Sequence, residues 1–383
     1  MRFSETAWKC FRNLEPRRQQ WCPGLNVFLG PNGSGKTNIL ESFNVLSGWG
    51  VFPAPSSGGR ISSAITWDAV EKRAILSAKA SGERDLEVAA QIGERLSLRV
   101  SNERATYSEL RSLLPALSFL PGDVNILDGS PSVRRFFLDK LCVLCSPLYA
   151  RRLFEYRQLV RHRRALLRNA PYKREAVTLL RASADPISQL GGWIRLVRKK
   201  AVTLLSEKLS DFFSSLSFFS PFSPDILPFS LNVAMELRGS NINNPDETDS
   251  VDSYAEDLKL ALEANLERER HAGIVLAGPH RDDITFSCLG RPAALALSRG
   301  QKKRVVVAVI LAAGHLIETK LRLKPILILD DVAAELDADG RSLMGQALVK
   351  TGWQIFASAA SSENPFKTDE CAVWNVRGGK IEG

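Results

Sequence analysis

A chain of 383 residues with 44% hydrophobic side chains, 24% charged ones and a net charge of +9 holds core enough for two or three domains and excludes a disordered polymer. Six cysteines over that length exclude a disulfide scaffold. The longest apolar run, Val305 to Ala313, is too short to span a bilayer, and Met1-Arg-Phe-Ser-Glu5 opens no signal core, so a cytoplasmic protein without a membrane partner is expected.

The first informative segment is Leu25–Leu29, a short apolar strand, followed by Gly30-Pro-Asn-Gly-Ser-Gly-Lys-Thr37. The loop fits G-x-x-x-x-G-K-[ST], whose glycines let successive N–H groups turn toward phosphate oxygens. After it, Ile39, Phe43 and Leu46 recur at helical spacing. Strand, loop and helix in that order put a bound phosphate at a helix N-terminus. On this reading Gly30, Pro31, Asn32, Gly33, Ser34, Gly35, Lys36, Thr37 and Asn38 bind ATP, Lys36 reaching the β- and γ-phosphates and Thr37 ligating Mg²⁺.

Short β-rich runs continue to about Val100. Near Arg134 the texture changes: Leu153, Tyr156, Val160 and Leu167 mark an amphipathic helix. Between Arg151 and Lys200 lie 14 Lys and Arg against only Glu155, Glu175 and Asp185, the expected footprint of a polyanion. Arg151, Arg152, Arg157, Arg161, Arg163, Arg164 and Arg168 are the candidate contacts to such a polyanion, the alternative being a solvated helix face; if the polyanion is DNA, recognition is of backbone rather than bases, since no base-reading motif is visible. Cys142-Val-Leu-Cys145 has no second C-x-x-C to complete a zinc site, so two half-buried helix cysteines are expected. Helices are predicted over Ile187 to Phe213 and Tyr254 to about Arg270, with a Pro-, Phe- and Ser-rich stretch and an exposed polar loop, Gly239 to Asp249, between them.

Pro325-Ile-Leu-Ile-Leu-Asp-Asp331 reads as a buried strand ending in two carboxylates, which in P-loop proteins hold Mg²⁺ (Asp330) and orient the attacking water (Asp331). Leu297-Ser-Arg-Gly-Gln301, opening the apolar helix that follows, resembles the ABC-ATPase signature L-S-G-G-Q. Ala334-Glu-Leu-Asp337 resembles the D-loop of the same superfamily. The signature implies that Ser298, Gly300 and Gln301 meet the γ-phosphate of a second copy, making ATP the joint of a homodimer. The distance along the chain between Lys36 and Asp330 implies an α/β ATPase head, 1–125 with 272–383, carrying a helical arm inserted at 126–271.

Phe11-Arg-Asn13, Gly24-Leu-Asn-Val27 and Gly35-Lys-Thr-Asn-Ile-Leu-Glu-Ser42 together resemble the RecF family, relatives of the SMC and Rad50 heads. Pro121 to Asp139, with Gly-Ser-Pro and Arg-Arg-Phe-Phe-Leu-Asp, and Ala277-Gly-Pro-His-Arg-Asp-Asp283 agree with it. The resemblance implies an ATP-closed clamp on duplex DNA at single-strand gaps. With RecR and RecO it would direct RecA loading in DNA repair, and a weak DNA-stimulated ATPase would reset it. It places Arg12 and Asn13 near the nucleotide. Asp331 stands where many ABC ATPases have Glu, and the side chain one methylene shorter implies slow turnover. At the switch-histidine position of transporters, Gln354 to Ala360 offers only Ser358, and His280 is an alternative phosphate sensor or a structural hydrogen-bonding group. A transporter subunit leaves the basic segment unexplained, and an SMC-like tether needs heptads that the insertion lacks. A small-molecule kinase has no use for L-S-x-G-Q.

Overall fold

The computed structural model describes residues 1–52, 61–169, 174–214, 233–239, 250–336, 338–361, 363–366 and 368–382. Most of the Pro-, Phe- and Ser-rich stretch, the polar tract 240–249 and Asp337 of the D-loop lie outside the described residues. The chain forms two compact units, one from residues 1–125 and 298–382, the other from 126–214 and 233–297. Residues 272–297, expected with the first unit, pack with the second. There Asp283–Cys288 pairs antiparallel with Val233–Arg238, and arginines of the neighbouring helices hold Asp282 and Asp283.

The first unit is built on five parallel strands in the order Cys371–Arg377, Leu25–Leu29, Gln354–Ala359, Ile326–Leu329 and Ala116–Phe119, with Lys380–Glu382 antiparallel at one edge. The sequences LNVFL, ILIL and QIFASA are buried at every position, as expected of parallel strands covered on both faces. Because Leu29 lies opposite Ala359, and Ala357 opposite Leu329, Gly30, Ala360 and Asp330 all leave the sheet at one end. In open α/β sheets that end is where ligands bind.

A second sheet of six antiparallel strands runs from Arg17–Gln20 through Arg2–Lys9, Ala74–Ser81, Leu86–Ile92 and Leu96–Val100 to Glu103–Ala105. Aromatic packing joins it to the helix Lys36–Leu46 and to the parallel sheet. Phe43 of that helix stacks on Phe356 with centroids 3.7 Å apart and lies 5.4 Å from Phe3. Trp21 meets Phe28, Phe43 and Phe356 edge-on at 5.5, 5.3 and 5.8 Å. The buried Gln354 amide accepts from the Phe3 N–H and donates to the Phe3 carbonyl, both at 2.7 Å, so the two sheets share a polar link. The phosphate-loop helix is thereby fixed from both sides.

The second unit is mainly helical: Pro131–Cys145, Tyr149–Asn169, Arg174–Ala182, Ala184–Ser214, Val251–Ala264 and Leu266–Ala272, beside a three-stranded sheet. The predicted stripe Leu153, Tyr156, Val160 and Leu167 is buried. Cys142 is buried and Cys145 half-buried, and neither forms a disulfide. Ala184–Ser214 and Val251–Ala264 touch at Gly191-Gly192, where a Cβ on Gly192 would stand 2.6 Å from Ala255 N and 2.7 Å from Val251 O. Backbone lies on both sides, so neither atom yields readily. Gly192→Val is therefore expected to lower unfolding free energy by about 1–3 kcal/mol, read by urea denaturation. Among the described residues, no helix is long and apolar enough to cross a membrane.

Candidate nucleotide site

Three glycines of the loop hold positive φ, Gly30 at 151°, Gly33 at 78° and Gly35 at 112°. Gly35 is the N-cap of Lys36–Leu46 and supplies no side-chain cap, so the first N–H groups of the helix stay open to an anion. Inside the loop Ser34 Oγ is buried without a hydrogen-bond partner among the described residues. Lys36 Nζ curls back to donate to the Gly30 and Pro31 carbonyls at 2.7 and 2.8 Å.

Beside the loop lies a cavity of about 210 Å³ lined by Asn32, Gly33, Gly35, Lys36, Thr37, Asn38, Asp330, Asp331, Ser358 and Ala360, with Pro121. Thr37 Oγ1 stands 3.0 Å from both Asp330 carboxylate oxygens. Ser358 joins the two acids: its hydroxyl donates to Asp330 Oδ1 at 2.6 Å and accepts from the Asp331 N–H at 2.9 Å. Asp331, in the left-handed region at φ 51°, also accepts from the Ala360 N–H at 3.3 Å. That conformation is uncommon away from glycine and is concentrated at functional positions.

Burial sets the electrostatics. It lowers the Lys36 pKa, with Asp331 and Asp330 pulling the other way. It raises the Asp330 pKa, against the hydrogen bonds from Ser358 and Thr37. Each group is desolvated and lacks a full counter-charge, which phosphate oxygens would give the lysine and a divalent cation the aspartate. A hydroxyl beside a carboxylate is a hard-oxygen donor pair of the kind Mg²⁺ takes together with substrate phosphates. The orphaned Ser34 hydroxyl, the uncapped helix and this donor pair fit ATP with Mg²⁺.

Five expected ligands, Arg12, Asn13, Ser298, Gly300 and Gln301, sit elsewhere. Arg12 is turned into the protein: its guanidinium forks onto Glu41 with both bonds at 2.7 Å and donates to the Ser63 carbonyl. It braces the phosphate-loop helix instead of lining the cavity. Asn13 accepts from Asn38 Nδ2 at 2.7 Å and reaches the Gly33 carbonyl at 3.4 Å, so it supports the loop from outside. Ser298 and Gln301 form a reciprocal capping box at the start of Arg299–Leu321, and neither they nor Gly300 line the cavity.

Most of the block 121–139 and all of 277–283 meet in the second unit. Arg134 forks onto Asp283, Arg135 donates to the Asp282 carbonyl, and Asp139 is held by Arg198 and the Tyr149 hydroxyl. His280 is a structural residue there. Its Nδ1 lies 2.7 Å from the Tyr156 hydroxyl and its Nε2 faces the Val275 carbonyl, and burial pushes its pKa down to about 4. Of the seven candidate DNA-binding arginines, Arg151, Arg157, Arg161, Arg164 and Arg168 are exposed, and Arg152 is half-buried over the Trp193 ring. Arg163 is corrected: it is 1% exposed and ion-paired to Glu269 at 2.8 Å, so it can touch no DNA.

No family model matches the chain. It is 32% identical to the DNA replication and repair protein RecF of Moorella thermoacetica over 317 residues, covering 82% of this chain and 78% of that one. It is 30% identical to the RecF of Symbiobacterium thermophilum, covering 92% and 90%. Among solved structures it resembles the recombination mediator protein RecF-ATPrS of the RecFOR pathway, with a TM-score of 0.83 at 22% identity, covering 99% of this chain and 97% of that one. An SMC head bound to the C-terminal winged-helix domain of ScpA matches at a TM-score of 0.53 and 16% identity, covering 100% and 96%. The fold is thus that of the RecF and SMC ATPase heads. On the relatives' identity and coverage, the chain belongs to the RecF family of DNA replication and repair proteins.

Proposed function

We propose that this chain is an ATP-dependent DNA clamp of recombinational repair and replication-fork maintenance, acting in the RecFOR pathway. ATP joins two copies, the dimer holds duplex DNA beside single-strand gaps, and RecR and RecO use it to promote RecA loading. The observation that carries the reading is the place of the signature-like segment relative to the phosphate-loop cavity. Within one unit, Lys36, Thr37, Asp330 and Asp331 face one cavity, while the helix start at Ser298–Gln301, with Ser298 and Arg299 exposed, lies outside its lining. In this reading a second copy supplies that element.

In this reading Thr37 and Asp330 hold Mg²⁺, and Gly30 to Asn38 hold the phosphates. Bound Mg²⁺ would draw charge from the phosphate oxygens. Lys36 moves from the Gly30 and Pro31 carbonyls to the phosphates. Asp331, fixed by Ser358 and Ala360, accepts the proton of the attacking water, and its short side chain keeps hydrolysis slow and suited to a DNA-stimulated reset. With ATP, the wild-type mass is expected to double in light scattering and its DNA anisotropy to rise. Ser298→Arg should still bind ATP yet remain a monomer, and Lys36→Met should lose nucleotide dependence. Mass and DNA affinity indifferent to ATP and ADP would show the reading to be wrong.

A further inference from the structure

The second unit contains an open cavity of about 500 Å³ whose lining includes Arg135, Arg164, Arg281, His280, Ser130 and Ser132 and no carboxylate. Four of the more buried arginines in that unit are matched to acids: Arg134 with Asp283, Arg163 with Glu269, Arg195 with Asp282 and Arg198 with Asp139, all at 2.7–2.8 Å. The three cavity arginines break this pattern. Arg135 donates to the Asp282 carbonyl and Arg281 Nε to the Val275 carbonyl, while Arg164 has no hydrogen bond or ion pair among the described residues. The carboxylates that act on Arg135 from further away, Asp283, Asp139 and Asp282, are already held by Arg134, Arg198 and Arg195.

Three chain segments therefore converge guanidinium groups on one concavity without neutralising them. Two serines and the start of the 15-residue helix Pro131–Cys145 lie at the same place, adding hydroxyl donors and the positive end of the helix dipole. His280 forms a neutral wall, fixed by Tyr156 and Val275. Planar guanidinium groups with free N–H donors match the oxygens of a phosphate better than any neutral ligand. We infer that this cavity is a phosphate cradle in which Arg135, Arg164 and Arg281 hold one phosphodiester of a DNA strand. The choice of DNA over a free phosphate rests on the proposed function; the cradle itself does not.

Arg164→Gln removes no internal contact, so its fold should survive, and Arg181→Gln removes the same charge from an exposed site on another helix of the unit. Anisotropy of full-length protein with ATP on gapped duplex, over a salt series, should show the slope of log K against log salt falling by about one for Arg164→Gln and remaining unchanged for Arg181→Gln. A second arm uses inorganic phosphate and thermal melting on a Lys36→Met background, in which the phosphate loop is disabled. There phosphate should raise the Tm, and adding Arg164→Gln should remove the rise. An unchanged slope with the phosphate effect lost would overturn DNA as the source and leave a free-phosphate site. Identical behaviour of the two Gln variants in both arms would overturn the cradle. If the wild type fails to bind DNA, the clamp reading fails, and the phosphate arm alone decides the cradle.

Discussion

Arg163→Ala is expected to destabilise the protein by about 3–5 kcal/mol in urea denaturation, because it strips a fully buried carboxylate of its partner. Glu269 accepts from Arg163 Nε and Nη2 at 3.0 and 2.8 Å and from the Leu276 N–H at 2.7 Å, and it is 0% exposed. Arg163 Nη1 also satisfies the Leu180 carbonyl and the Ser183 hydroxyl. One guanidinium thus ties Tyr149–Asn169 to the helix Leu266–Ala272 and to the chain at Leu180–Ser183. Two positions earlier, exposed Arg161→Ala should shift stability by no more than about 0.5 kcal/mol. Replacing the pair together, Arg163→Met with Glu269→Leu, should recover part of the loss, since a buried ion pair contributes little net free energy over apolar packing while the Leu276 N–H loses its acceptor. Equal stability of Arg163→Ala and Arg161→Ala would refute the pair. A charge reversal that includes Arg163 would lose DNA binding by unfolding, so a test of DNA contacts should use Arg161 and Arg164.

The same residue shows what the sequence does and does not reveal. Tyr156, Val160 and Leu167 define a buried stripe, and Arg163 lies three residues after Val160 and four before Leu167, on that stripe. The periodicity therefore contained a signal that its charge had to be neutralised inside. Its partner could not be read, because Glu269 is brought to it only by the packing of a distant helix. The phosphate loop and the strand before Asp330 are legible for the opposite reason: local sequence dictates their backbone, and the parallel sheet then brings their ends together. Arg12 misleads because an arginine beside a phosphate loop looks like a ligand until Glu41 of the same loop's helix is seen to take both of its forks. Gly278 to Asp283 was legible as a distinctive block but not as the acceptor of Arg134, Arg135 and Arg195. For that reason residues 272–297 pack with the helical unit although their sequence suggests the ATPase head.

Asp330→Asn should abolish Mg²⁺-dependent hydrolysis, by at least about a hundredfold in kcat, while making the nucleotide-free protein more stable at neutral pH. The two effects share one cause. Burial raises the pKa of Asp330 in the folded state, so folding favours its protonated form. Its contribution to stability is then fully present below the unfolded aspartate pKa, about 3.9, and is lost as pH rises through the higher folded value. At neutral pH the ionised, desolvated carboxylate is a cost that the neutral amide of the variant would not carry, and the amide oxygen can still accept from Ser358 and Thr37. The variant's advantage in Tm should therefore shrink as pH falls toward the ordinary carboxylate range. With saturating Mg²⁺ and ATP the order should reverse, because ligand binding stabilises only a folded state able to bind it. A variant equal to or below wild type at neutral pH without ligand would show that Ser358 and Thr37 already offset the desolvation. A stabilised variant that still hydrolyses ATP at the wild-type rate would remove Asp330 from the metal site.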